Sequence, residues 1–188
     1  VVSPENQKEI KKALAGKQVD YVLQKNAMGT GDAVFRAMEK FKSFQGDVAV
    51  IWGKQALVKK ETIQKTILLH QALNCSMSFP TTKRKNPYAP LIRANDGWIE
   101  DSQETHLEQA QHQKFGEDNV GFFILNAKSL FRTLKEIRAK LFDQKTKTYQ
   151  TPKWECGFPN LMVRKLCSNG KLVFAFCMAK NFEAKGIN

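Results

Sequence analysis

Residues 21–34, YVLQKNAMGTGDAV, constrain the fold more than any other stretch of the chain. An apolar strand runs into Gln24, a short loop follows, and Gly29-Thr30-Gly31 opens an apolar-periodic helix. Glycines at a strand-to-helix turn permit backbone conformations and close approaches that a Cβ forbids. The first N–H groups of the helix have no intrahelical partner and point outward. They make a seat for an anion or a flat polar ligand. A plain structural turn would use the same glycines. Gln24 adds an amide that donates and accepts at once, which suits the edge of a nucleobase.

Around this unit, strand-like runs alternate with helical ones. Ser3-Pro4 opens a helix over residues 5–14, which Gly16 ends. A short strand is expected at 19–23. The spacing of Val34, Phe35, Met38 and Phe41 predicts a helix over 32–41. Residues 48–52 are a continuous apolar run, suited to a strand buried on both faces. A helix over 61–73 is expected to turn Ile63, Ile67 and Leu68 to one side, and a strand follows at 75–79. Asn95-Asp96-Gly97 between 91–93 and 98–100 is a hairpin signal. A strand at 120–125 precedes a helix at 127–141 with Leu130, Leu134, Ile137 and Leu141 in register. A helix at 161–166 and a strand at 172–178 follow. The polar patch 143–149 predicts a solvated loop. The alternation indicates an α/β layered domain with a mixed, mostly parallel sheet and a small antiparallel flap. No internal repeat is visible.

Composition narrows the function classes. With 188 residues, 42% of them hydrophobic, and 13 Phe, the chain can bury one substantial core. No apolar run approaches membrane-spanning length and the first residues do not form a signal peptide, so a cytoplasmic protein without a membrane partner is expected. Cys75, Cys156, Cys167 and Cys177 show neither C-x-x-C nor metal-ligand spacing and read as reduced, mostly buried thiols. Net charge is +12, from 30 basic and 18 acidic residues. Such an excess meets polyanions or steers phosphorylated small substrates. The lysines are dispersed and no nucleic-acid-binding motif accompanies them, which speaks against nucleic acid. His70, His106 and His112 form no ligand set, and His70 reads as structural or solvated.

The VLQ…GTG-D-A pattern resembles the uracil-binding loop of the sugar-1-phosphate nucleotidyltransferases, above all their N-acetylglucosamine-1-phosphate uridylyltransferase domain. The likeness is collinear from about residue 1 to 188. It implies a Rossmann-like nucleotidyltransferase fold in a single domain over 1–188, without the family's first strand and glycine-rich phosphate loop. It also implies that the chain binds a uridine nucleotide or UDP-sugar. Gln24 matches the glutamine that reads uracil, Gly29 the glycine whose backbone completes the reading, and Thr30 is part of the same loop. Ala89 in KNPYAPLI, or its neighbour, falls where a glycine touches the sugar. Glu104 falls at the carboxylate that takes sugar hydroxyls, and Asn119 in EDNVGFF matches the sugar-holding asparagine of E-x-N-x-G.

The metal site departs from the pattern. In the family an aspartate follows the strand and its glycine and binds Mg²⁺. Here Gly53 matches the glycine, but Lys54 stands at the aspartate. Asn188 in E-x-x-G-I-N matches the second metal ligand. Mg²⁺ wants oxygen ligands, and an ammonium has no acceptor to offer. Lys54 therefore implies either a metal-independent catalytic cation or a domain that binds without turnover.

Overall fold

The computed structural model describes residues 1–105 and 113–187. Its centre is β2 (Met77–Lys85), a strand buried from Met77 through Thr82. Along one edge β2 pairs in parallel with β9 (Val173–Cys177). Along the other it pairs antiparallel first with β6 (Phe122–Asn126), then with β5 (Phe115–Asn119). β5 and β6 are one chain path broken at Val120-Gly121. β6 in turn pairs antiparallel with β1 (Asp47–Ile51). Along its other edge β1 meets no strand among the described residues, and Ile51 is 50% exposed.

Helices cover both faces. α4 (Ala127–Leu141) and α5 (Pro159–Ser168) lie on one, and Leu130, Leu134, Phe158 and Met162 close over Met77, Phe79, Phe123 and Leu125. Phe123 meets Phe79 and Phe158 at centroid distances of 5.4 Å each. α2 (Gly29–Ala37) packs against α4, with the Arg138 guanidinium 4.6 Å from the Phe35 ring centre. α3 (Lys60–Ala72) covers the opposite face, where Val120, Phe122 and Ile124 meet Ile63. α1 (Gln7–Ala13) is a short helix with no buried residue. The hairpin β3–β4 (Leu91–Arg93, Ile99–Ser102) is held to the sheet by Arg93, whose Nε donates to Glu117 Oε2 at 2.8 Å.

Several expectations are corrected. The sheet is mixed but not mostly parallel in its pairing. The β5–β6 path runs opposite to its neighbours and lies between β1 and β2, so every ladder it makes is antiparallel. The strand at 19–23 shrinks to one parallel bridge, Val2 to Leu23, with nothing beyond it to extend the ladder among the described residues. The helix at 32–41 begins three residues earlier and ends in a 3₁₀ turn, Met38–Phe41. The strand over 48–52 is exposed at alternate residues because only the face carrying Val48 and Val50 packs on the core. The loop over 143–149 closes into a two-residue ladder, β7 (Phe142–Asp143) with β8 (Thr148–Tyr149). Strand β5 carries no apolar signal and was not expected.

The largest correction concerns α3. Its buried residues are Thr62, Thr66 and His70, whereas Leu68 is 65% exposed. Polar partners explain the inversion. His70 shares a hydrogen bond with Ser78 Oγ at 2.9 Å and faces Asp47 Oδ1 at 3.3 Å. Burial lowers the His70 pKa, and Asp47 opposes that shift. Thr62 Oγ1 donates to Glu183 Oε2 at 2.7 Å, and the Lys59 N–H donates to the same oxygen at 2.9 Å. Glu183 thus satisfies the open end of α3, where a carboxylate also favours the helix dipole. Burial pushes the Glu183 pKa up, but the Lys59 and Lys180 N–H groups, Thr62 and the Lys59 charge outweigh it and the net shift is downward.

A carboxylate with a lowered folded-state pKa adds stability above its unfolded pKa and loses it as pH falls through the folded value. Glu183→Gln is therefore expected to cost about 1–3 kcal/mol at neutral pH, and the gap to the unaltered protein should close on acidification below the ordinary glutamate range. Denaturant melts across pH check this.

Candidate functional site

A cleft of about 980 Å³ opens between the start of α2 and the end of β1. The end of the cleft at the start of α2 is built by backbone stapling. Gly29 has φ +86°, and an ideal Cβ there would sit 2.4 Å from the Cys156 carbonyl oxygen. The Cys156 N–H donates to Met28 O at 2.8 Å, and the Gly31 N–H returns to Cys156 O at 2.7 Å. The Phe158 N–H donates to Thr30 Oγ1 at 3.1 Å. Gly29 and Gly31 therefore lie flat against residues 156–158, an approach that no side chain permits. Burial raises the pKa of the Cys156 thiol to about 12, so it stays protonated and inert.

Gln24 lies beside this turn. Its Nε2 donates to Gly29 O at 3.2 Å and to Asp32 Oδ2 at 2.9 Å. Asp32 is fully buried and also accepts from Arg36, Arg138 and the Tyr149 hydroxyl. The amide is thus clamped through its donor end.

The middle of the cleft is the C-terminal end of β1, where open α/β sheets place ligands. Lys54 is exposed there. The carbonyl of Lys54 accepts from the Ile187 N–H at 2.9 Å, and its stem packs on Gly186. The C-terminal segment therefore runs alongside Lys54. Asn188 itself lies outside the described residues. Among the described residues, no group of three or more His, Cys, Asp and Glu is placed to hold a metal ion.

The far end carries Arg84, Tyr88, Glu104, Asp118, Asn119 and Glu155. Asn119 Oδ1 accepts from the Gly121 N–H at 2.9 Å, which leaves its NH₂ as the group available to a ligand. Gly121, at φ +71°, sits where a Cβ would strike the Trp52 ring at 2.6 Å, so the bulge after Asn119 requires glycine. Asp118 accepts from the N–H groups of Tyr88 and Ala89 at 2.9 and 3.1 Å. Burial raises the Asp118 pKa, against those donors and Arg84. Partial burial pushes the Tyr88 hydroxyl up to about 12, and Glu104, Glu155 and Asp118 add to the shift. Carboxylates and a neutral phenol on one wall suit a ligand rich in hydroxyl donors.

Gln24, Gly29, Thr30, Lys54, Glu104 and Asn119 all border this one cleft. Ala89 is fully buried behind the wall, its N–H spent on Asp118, and Tyr88 takes the surface position. Sequence reasoning missed Tyr88, Arg84, Asp118 and Asp32. Asp118 and Asp32 are charged residues inside recognised motifs, and that placement was the available signal. His106 and His112 lie outside the described residues.

Gly29→Ala is expected to destabilise the fold by about 2–4 kcal/mol, because positive φ and a backbone clash coincide. Gly53→Ala borders the same cleft, yet its Cβ meets nothing within 4 Å. It should stay within about 0.5 kcal/mol of the unaltered protein. Denaturant midpoints compare the two.

No protein-family model matches the chain. Among curated proteins it is similar to bifunctional protein GlmU of Enterococcus faecalis, 31% identical over 96% of this chain and 37% of that protein. GlmU of Acetivibrio thermocellus is 30% identical over 69% of this chain and 28% of that protein. The chain thus spans about a third of the length of the relatives it matches. Among solved structures, HddC from Yersinia pseudotuberculosis superposes with TM-score 0.56 at 18% identity, covering 93% of this chain and 66% of that one. Its complex with GMP-PN gives 0.54 at 16%, covering 94% and 67%. No helix among the described residues is long and apolar enough to cross a membrane.

Proposed function

We propose that this chain, a relative of the sugar-1-phosphate nucleotidyltransferases most like their N-acetylglucosamine-1-phosphate uridylyltransferase domain, binds a uridine nucleotide or UDP-sugar in the cleft. The observation that carries the reading is Gln24, fixed at the cleft beside Gly29 at the start of α2. The HddC complex with GMP-PN supports nucleotide binding by this fold. The base sits against Gln24 and the Gly29-Thr30 backbone. The sugar lies toward Asn119, Glu104 and Tyr88, where carboxylates accept its hydroxyls.

In an active protein of this kind, a sugar 1-phosphate oxygen attacks the α-phosphorus of UTP and expels pyrophosphate. The protein's part is positioning and charge neutralisation. Lys54, at the end of β1, is the cation available to a phosphate group there. Mg²⁺ is not expected at this point, because an ammonium, which has no acceptor to offer, stands in place of the carboxylate. No step of the proposed chemistry passes through a metal. The same lysine favours a second reading, a domain that binds nucleotide sugar without turnover.

Calorimetric titration with UTP, UDP-N-acetylglucosamine, CTP and ATP tests the proposal. Uridine-selective binding that is indifferent to Mg²⁺ is expected, and absence of binding by any of the four would sink it. Lys54→Asp should introduce Mg²⁺ dependence into nucleotide binding, and an unchanged Mg²⁺ response would count against Lys54 as the replaced metal ligand.

A further inference from the structure

We infer that Asp32 is a specificity-setting residue. By clamping the NH₂ of Gln24, it makes that side chain a pure hydrogen-bond acceptor toward the cleft. The ligands so selected are bases with a ring N–H beside a carbonyl. This rests on the nucleotide-binding reading above and names the base class that the site takes.

The argument is one of donors and acceptors. Gln24 Nε2 lies between two groups that only accept here, the Gly29 carbonyl at 3.2 Å and the Asp32 carboxylate at 2.9 Å. Turning the amide over would set oxygen against both. Asp32 itself cannot yield. Its Oδ2 also accepts from Arg36 Nε at 2.6 Å, and its Oδ1 accepts from Arg138 Nη1 at 3.3 Å and the Tyr149 hydroxyl at 3.1 Å. Arg138 Nη1 in turn donates to the Tyr149 oxygen at 3.0 Å, which directs the phenol hydrogen to Asp32. Four donors converge on its two carboxylate oxygens. Gln24 borders the cleft, and its Oε1 has no hydrogen-bond partner among the described residues.

A free glutamine reads either kind of edge, because it can rotate its amide. A clamped one cannot. Uracil and guanine bring a ring N–H to an acceptor. In the same register cytosine and adenine bring an unprotonated ring nitrogen, which meets Gln24 Oε1 acceptor to acceptor, and their exocyclic amino group reaches that oxygen only if the base shifts. The residue that touches the base is Gln24, and Asp32 acts through it as a positioning residue.

The test has two readouts. The first is the Gln24 side-chain amide in the NMR spectrum of the unliganded protein, where slowed proton exchange is expected and should be lost in Asp32→Asn. In that variant Arg36 and Arg138 compete for the one remaining oxygen and turn the new NH₂ toward Gln24. The second is base preference by titration. The unaltered protein should favour UTP over CTP and over N3-methyl-UTP by about tenfold or more. Asp32→Asn should erase or invert the UTP-to-CTP ratio.

An unchanged ratio in a folded Asp32→Asn overturns the inference. So does uridine-selective binding by a protein whose Gln24 amide exchanges freely. Where Asp32→Asn does not fold, the N3-methyl comparison on the unaltered protein decides, and equal binding of the two nucleotides overturns it. No nucleotide binding at all, with the amide still protected, overturns the nucleotide reading and this inference with it.

Discussion

One buried carboxylate organises the cleft-facing half of this protein. Asp32 holds together Gln24, helix α2, helix α4 and strand β8 through four donors. Isolating such a charge from water is expensive unless every lone pair is used. That cost makes the geometry specific, since any displacement of Arg138, Tyr149 or Gln24 leaves a buried charge short of a partner. Arg138 reinforces the arrangement through its apolar surroundings, with its guanidinium 3.7 Å from the centre of the Phe142 ring. The hydrogen-bonded cluster and the packing of α2 on α4 therefore form a single unit.

A second constraint is close backbone approach. The turn before α2 lies against residues 156–158, and the bulge after Asn119 lies against Trp52 and Gln55, each at a glycine with positive φ. Both contacts lie at the cleft, one at Gly29 and the other at Trp52 and Gln55. At these two points the cleft wall is held in place by close backbone packing against its neighbours. Between the ends, the open edge of β1 and the exposed Lys54 give the middle of the cleft a cationic, solvent-facing character.

Much of the fold was legible because it rests on local periodicity. The helix over 127–141 matched at both bounds, since Leu130, Leu134 and Ile137 repeat at helical spacing and all point into the core. The Asn95-Asp96-Gly97 turn also follows from local chemistry, with Gly97 at φ +88° and Trp98 N–H bonded to Asp96. Helix α3 was misread because its inward residues are polar. No pattern of hydrophobicity announces Thr62, Thr66 and His70 as buried when their partners, Glu183 and Ser78, come from other elements. Strand β5 (FGEDN) escaped notice because it pairs through its backbone at the sheet edge and carries charges that are neutralised by Arg93 and by N–H groups far along the chain.

The sequence by itself determined the GTG turn that opens α2, the layered α/β character, and the positions of Gln24, Gly29, Thr30, Lys54, Glu104 and Asn119, which border one cleft. Those features depend on residue type at short range, where propensity, glycine conformations and spacing act directly. Only the tertiary structure decided the rest. The order and direction of strands depend on which distant edges meet, and the β5–β6 path between β1 and β2 follows from no local signal. The polarity of Gln24 was likewise undecided in the chain, where an amide can donate or accept. It became fixed when folding set it against Gly29 and Asp32, whose own partners lie more than a hundred residues away in sequence at Arg138 and Tyr149.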